Sequence, residues 1–322
     1  GKWSVVHSQS SVRTVDSVQP DQEIADAVKA DHEATIEYVN TPIGTTTDDI
    51  NSYFALVQDD PSIQVVTNAQ KWYVEKFIAL NRPDIKDLPI LSVGAPFKAG
   101  RNGAEDYTEI KKGDLTIRSA GDLYLYDNTL KAVKVKGSAV KEWIEMSAGI
   151  FNQIDPDNTT NQELINSAFP VYNFDVIDGV EYQIDVTQPA KYDKDGNVIN
   201  PNASRVINLE YNGEPVDPEQ EFIVVTNNYR AGGGGNFPGL KGSELVVDSA
   251  DENRQILMDY IAEEKEITPT ADHNWSIAPI SADVNVTFKS SPKAVEYIGE
   301  GSPFSYTGQT DSMGFGIFQY RL

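Results

Sequence analysis

Residues 227–237 read Asn-Asn-Tyr-Arg-Ala-Gly-Gly-Gly-Gly-Asn-Phe and follow the apolar run Phe222–Val225. A buried strand that opens into four glycines can bring backbone groups against another molecule, because glycine lacks a Cβ and accepts positive φ. Phe237 at the exit can cover a flat ligand face. Asn228, Tyr229, Arg230, Gly233 and Gly234 are the candidate loop contacts. No Lys-Ser/Thr follows the glycines and the dinucleotide spacing is absent, so neither phosphate-loop motif is met. A second candidate segment, Ala95–Gly103, carries Lys98, Arg101 and Asn102, a set suited to an anion such as phosphate. Tyr126 closes an aromatic run before the turn Asp127-Asn128 and can stack on a base. Asp178 and Gly179 can meet a ligand edge; the same pair also reads as a tight hairpin turn.

Groups that would do chemistry are scarce. The 322 residues contain no cysteine and three histidines, His7, His32 and His273, in no metal-ligand spacing. Disulfide and thiolate chemistry are excluded, and a hydrolytic dimetal centre is not expected within the chain. The formal charge of −23 argues against a nucleic acid polymer as partner. The acidic balance and the lack of cysteine suit an exported bacterial protein. No 18-residue apolar run is present, so no membrane-inserted helix is expected. Asp193–Asn197 resembles a calcium loop but lacks its remaining ligands, and reads as a hairpin turn.

The elements that must position these residues are mixed. Helices are expected over 21–39, with Asp21 as N-cap, and over 50–57, 63–80, 115–126, 140–148 and 251–263. Strands are expected over 2–6, 88–94, 130–135, 172–176, 180–186, 205–211, 221–226, 284–288 and 314–320. Helices and strands without regular alternation predict an α+β fold, mixed sheets with flanking helices.

In order along the chain, Ala95–Asn102, Leu123–Tyr126, Glu142-Trp143, Tyr172–Val180, Thr226–Ala231, Asp251–Arg254 and Asn274-Trp275 resemble the C-terminal domain of bacterial 2′,3′-cyclic-nucleotide 2′-phosphodiesterase/3′-nucleotidases, within the wider 5′-nucleotidase family. The resemblance implies residues 21–322 as a nucleotide-binding C-terminal domain. Residues 1–20 would be a terminal strand and linker from a metallophosphoesterase domain outside this fragment, and that domain would hold two divalent metals. By motif position, Tyr126 and Phe237 would sandwich the base, Asp178 or Gly179 would approach its edge, and Lys98, Arg101 and Asn102 would contact phosphate or ribose. The implied substrates are 2′,3′-cyclic and 3′-mononucleotides, and the implied location is extracellular, cell-wall associated or periplasmic. The competing expectation is a non-catalytic surface module that reuses the fold to bind a nucleotide or a protein.

Overall fold

A computed structural model describes residues 2–322 and divides the chain into two compact units, one up to Thr41 and one from Pro42 onward. The division falls after the first helix rather than before it. In the smaller unit the helix Gln22–Val39 starts at Asp21, whose carboxylate accepts the N–H groups of Glu23 and Ile24. Residues 2–6 form no strand, and Trp3, Val5 and Val6 are exposed. Their alternation is not enough by itself, because a strand without a paired neighbour has nothing to satisfy its backbone.

The larger unit is organised by a five-stranded sheet. Its spatial order is Glu244–Glu252, Thr129–Lys136, Glu221–Asn227, Ile90–Gly94, Val176–Asp178. Glu221–Asn227 runs parallel to Ile90–Gly94, and the other neighbours are antiparallel. Phe222–Val225 is apolar at every position because both faces are covered. Phe222 and Val224 pack with Trp143 and Ile144 of the helix Gly137–Ser147. Ile223 and Val225 pack with Val74 and Ile78 of the helix Pro61–Asn81. Each such side chain contributes roughly 1.5–3 kcal/mol of burial free energy, so the centre of this sheet is a firm base for the loops that leave it.

Three expectations fail for tertiary reasons. Ile50–Val57 has helical spacing, yet Ile50–Asn51 is a strand paired with Glu109–Ile110, followed by a turn. Phe54 stacks on Phe304 at 4.9 Å and meets Phe288 and Phe318 edge-on, so the aromatic cluster of the C-terminal sheet takes the segment. The expected helix 115–126 begins as the strand Gly113–Thr116, and only Ile117–Leu123 is helical, capped by Thr116. The expected strand 172–176 is a single helical turn, Val171–Asn173, before the strand Val176–Asp178.

Asp178-Gly179 does not close a hairpin. The strand before it pairs with Ile90–Gly94, whereas the following strand Glu181–Ile184 pairs with Val206–Tyr211 and Trp275–Ile277. Gly179, at φ 93°, passes the chain from one sheet to the other.

Candidate functional site

Ile90–Gly94 and Glu221–Asn227 are neighbouring parallel strands, so their carboxyl ends, Gly94 and Asn227, lie side by side. Ligands of open α/β sheets collect in the crevice beyond such ends, where the following loops diverge. Here one strand feeds the loop from Ala95 and the other feeds the short helix Asn228–Ala231 and the glycines. Between them lies a cavity of about 280 Å³ with Gly94, Arg101, Tyr126, Tyr172, Asn227 and Tyr229 among its walls.

The first loop supplies Phe97 and Arg101. The Phe97 ring stands edge-on to both Tyr124 and Tyr126 at 5.1 Å and props them from behind. Arg101 Nη1 donates to the Tyr126 hydroxyl at 3.0 Å, and its guanidinium lies 4.8 Å over the Tyr172 ring. One cation thus holds two rings that arrive from different segments. Tyr124 lines the floor, and its hydroxyl accepts from Asn227 Nδ2 at 3.2 Å. Burial raises its pKa to about 12, so the phenol stays neutral at physiological pH.

The second loop supplies Tyr229, which is 47% exposed. The back of its ring lies on Gly234, where an added Cβ would sit 2.6 Å from three ring carbons. The glycine leaves room for the ring and the ring keeps a face toward the cavity side. Asn227 Oδ1 accepts the N–H of Arg230 at 2.9 Å and starts the short turn that carries Tyr229.

The structure gathers Arg101, Tyr126, Tyr229 and Arg230 around this cavity and leaves other expected residues out. Phe237 is 3% exposed, with the Arg230 guanidinium 3.9 Å over its ring and the Trp143 ring 6.1 Å away, so it has no face left for a base. Lys98 pairs with Asp122 at 2.7 Å and lines a separate, smaller depression. Asn102 spends its backbone and side-chain N–H groups on Asp106, both at 2.9 Å. Asp178 aligns with Ser92, two residues below the strand end, and accepts from Gln64 at 3.1 Å. Burial raises the Asp178 pKa to about 6. Gly179 lies still farther from the crevice, over Leu91. Asn228 caps the start of a strand instead, accepting from Thr129 N at 3.1 Å, and Gly233 and Gly234 do not line the cavity; Gly234 lies behind the Tyr229 ring.

Sequence reasoning named neither Phe97 nor Asn227 as a wall residue, and offered the segment Tyr172–Val180 as a ligand edge without singling out Tyr172 and Asp175, the two of its residues that line the cavity. The signal that finds them is position: each falls within a few residues of one of three strand ends that meet at the crevice. Among the described residues, no group of three or more His, Cys, Asp or Glu side chains gathers to hold a metal ion. The residues present therefore do not fit a hydrolytic metal pair; what lines the cavity is ring faces, the Arg101 guanidinium and amide groups.

Residues 42–242 match the family described as 5′-nucleotidase, C-terminal domain. Over its whole length the chain is 53% identical to the trifunctional nucleotide phosphoesterase protein YfkN of Bacillus subtilis, covering 22% of that protein. It is 48% identical to the 2′,3′-cyclic-nucleotide 2′-phosphodiesterase/3′-nucleotidases of Salmonella typhimurium and Haemophilus influenzae, covering 52% of each. The chain thus spans about half the length of these last two relatives and less of the first. Two solved structures share the fold. A putative 5′-nucleotidase from Staphylococcus aureus superposes with a TM-score of 0.59 at 23% identity, over 84% of this chain and 45% of that one. A 5′-nucleotidase precursor from Thermus thermophilus gives 0.58 at 20%, over 80% and 44%. With a family match over most of the larger unit and close relatives along the full length, the chain belongs to the 5′-nucleotidase C-terminal domain family.

Proposed function

We propose that this chain binds the nucleotide for a metal-dependent 2′,3′-cyclic-nucleotide 2′-phosphodiesterase/3′-nucleotidase, with the base in the crevice cavity between Tyr126 and Tyr229. The observation that carries this reading is the set of tyrosines from three separate segments converging at the ends of two parallel strands. The names of the relatives at 48–53% identity agree with it. Stacking on an aromatic is worth about 1–3 kcal/mol per base and places little demand on the base's identity. That suits a protein that accepts several nucleotides. Arg101, fixed at the rim by Tyr126 and Tyr172, faces where ribose or phosphate would project.

Phosphoester hydrolysis would belong to two divalent metals in a metallophosphoesterase domain elsewhere in the full-length protein, where they would polarise the phosphate and activate water. The part of these residues is to bind and orient, which converts remote binding energy into alignment of the reacting group. The acidic balance and the absence of cysteine fit an exported parent protein, in the periplasm or at the cell wall.

Titration of 3′-AMP into the wild-type chain and into Tyr126→Ala and Tyr229→Ala tests the reading. Each variant is expected to bind about 5- to 150-fold more weakly, the equivalent of one lost stack. Unchanged affinity in both would remove the base from this cavity.

A further inference from the structure

Arg230 is 3% exposed and its guanidinium is fully committed. Nε and Nη2 form a two-point pair with Asp175 at 2.7 and 2.8 Å. Nη1 donates to the Gly234 carbonyl at 2.6 Å, Nη2 to the Tyr172 carbonyl at 3.1 Å, and both to Asn173 Oδ1 at 3.2 Å. The ring of Phe237 closes one face at 3.9 Å. Asp175 is itself held by the Trp143 indole N–H at 2.7 Å. With every N–H used inside the protein, Arg230 has none left for a phosphate.

What it does instead follows from what it joins. Tyr229 rides on the glycine loop and Tyr172 on the turn that precedes Asp175, segments more than fifty residues apart in sequence. Among the described residues, all the side-chain hydrogen bonds that tie residues 228–237 to residues 171–175 come from Arg230. Phe237, which the sequence offered as a stacking ring, serves as the apolar lid on this guanidinium.

We propose that Arg230 is the positioning residue of the cavity: it locks the tyrosine-bearing glycine loop to the Tyr172–Asp175 segment and so sets the gap a base enters. This rests on the base-binding reading above. Lysine keeps the charge but loses the planar fork that engages four acceptors at once. Arg230→Lys should fold yet leave the gap unset.

The test is 3′-AMP titration of the wild type, Arg230→Lys, Tyr229→Ala and the Arg230→Lys/Tyr229→Ala pair, with the Trp143 indole N–H resonance as structural readout. Arg230→Lys is expected to move that resonance and to weaken binding at least fivefold, with no further loss when added to Tyr229→Ala. Wild-type affinity in Arg230→Lys overturns the proposal. So does an equal loss in the Tyr229→Ala background, which marks a merely structural residue. If the lysine variant does not fold, Asp175→Asn replaces it; it keeps the shape and one acceptor, and unchanged binding there overturns the proposal. If Tyr229→Ala binds like the wild type, or the wild type does not bind 3′-AMP, the base-binding reading falls and takes this one with it. If Tyr229→Ala weakens binding and Arg230→Lys does not, only the positioning role falls.

Discussion

Gly234→Ala isolates the role of the glycine loop from the stability of the fold. Gly234 is not among the glycines with positive φ, so its backbone accepts an alanine without strain. The new Cβ would stand 2.6 Å from Cε1, Cε2 and Cζ of Tyr229. Carbon atoms settle at about 3.5–4.0 Å, so the ring must retreat by about 1 Å or swing away. Tyr229 is 47% exposed and makes no hydrogen bond through its hydroxyl among the described residues, so moving it costs the fold little. The unfolding free energy in urea is expected to change by about 0.5 kcal/mol or less, as for a surface substitution. The affinity for 3′-AMP is expected to fall by most of one stack, about 1–3 kcal/mol or roughly 5- to 150-fold by calorimetry. The double variant with Tyr229→Ala should bind no more weakly than Tyr229→Ala alone, because the ring through which the alanine acts is gone. Wild-type affinity in Gly234→Ala, or a loss that persists without Tyr229, refutes the claim that this glycine acts by backing the ring.

Two further outcomes follow from the same geometry. Phe237→Ala removes a buried ring from between Trp143 and Arg230 and should cost about 3–5 kcal/mol of stability in urea, whereas an exposed stacking ring would cost almost none. Asp60, the N-cap of the helix Pro61–Asn81, is pushed up to about 7 by burial, partly opposed by its bonds from Ser62. Its folded pKa lies above its ordinary value, so the native state holds the extra proton. Its contribution to stability is full near pH 4 and is lost as pH rises toward 7. The stability of the wild type minus that of Asp60→Asn should therefore fall steadily between pH 4 and 7 and stay flat above; a value that rises over that window contradicts the burial argument.

The elements legible in the sequence are those whose partners impose a clear period. The helix at 61–81, the strands at 90–94, 129–136 and 221–227, and the mixed character of the sheets all follow from apolar spacing and caps, while the helix at 22–39, which buries no residue, was legible from its Asp21 cap. Ile50–Val57 was not legible because Phe54 answers to an aromatic cluster more than two hundred residues away. The site was half legible for a related reason. Arg101 sits in the loop that leaves the strand Ile90–Gly94 and Tyr126 in the loop between the helix Ile117–Leu123 and the strand Thr129–Lys136, and both were found from residue type and motif order. Phe237 was named as the second stacking ring and Tyr229 only as a loop contact, because sequence order does not say which side of a glycine loop faces inward. Burial decides it: Phe237 points to Trp143 and Arg230, while Tyr229 is left at the cavity.

The four glycines can now be separated by what each one permits. A phosphate cradle needs free N–H groups converging on an anion, yet here Gly232 N donates to Asn228 O, Gly233 N to Arg230 O, and Asn236 N to Gly233 O. Those three donors are spent closing the loop on itself, and the Gly234 carbonyl turns to Arg230. Gly233 and Gly235 hold φ of 93° and 76°, which a side chain rarely adopts, and the space a Gly235 side chain would need is filled by the Arg230 guanidinium. Gly234 makes room for the Tyr229 ring. A run that looks like a flexible tether is therefore a rigid seat, tight around a cation on one side and a tyrosine on the other. Its composition follows from the neighbours that press against Gly234 and Gly235, and in the proposed binding mode a nucleotide would feel the loop through the ring that the loop supports.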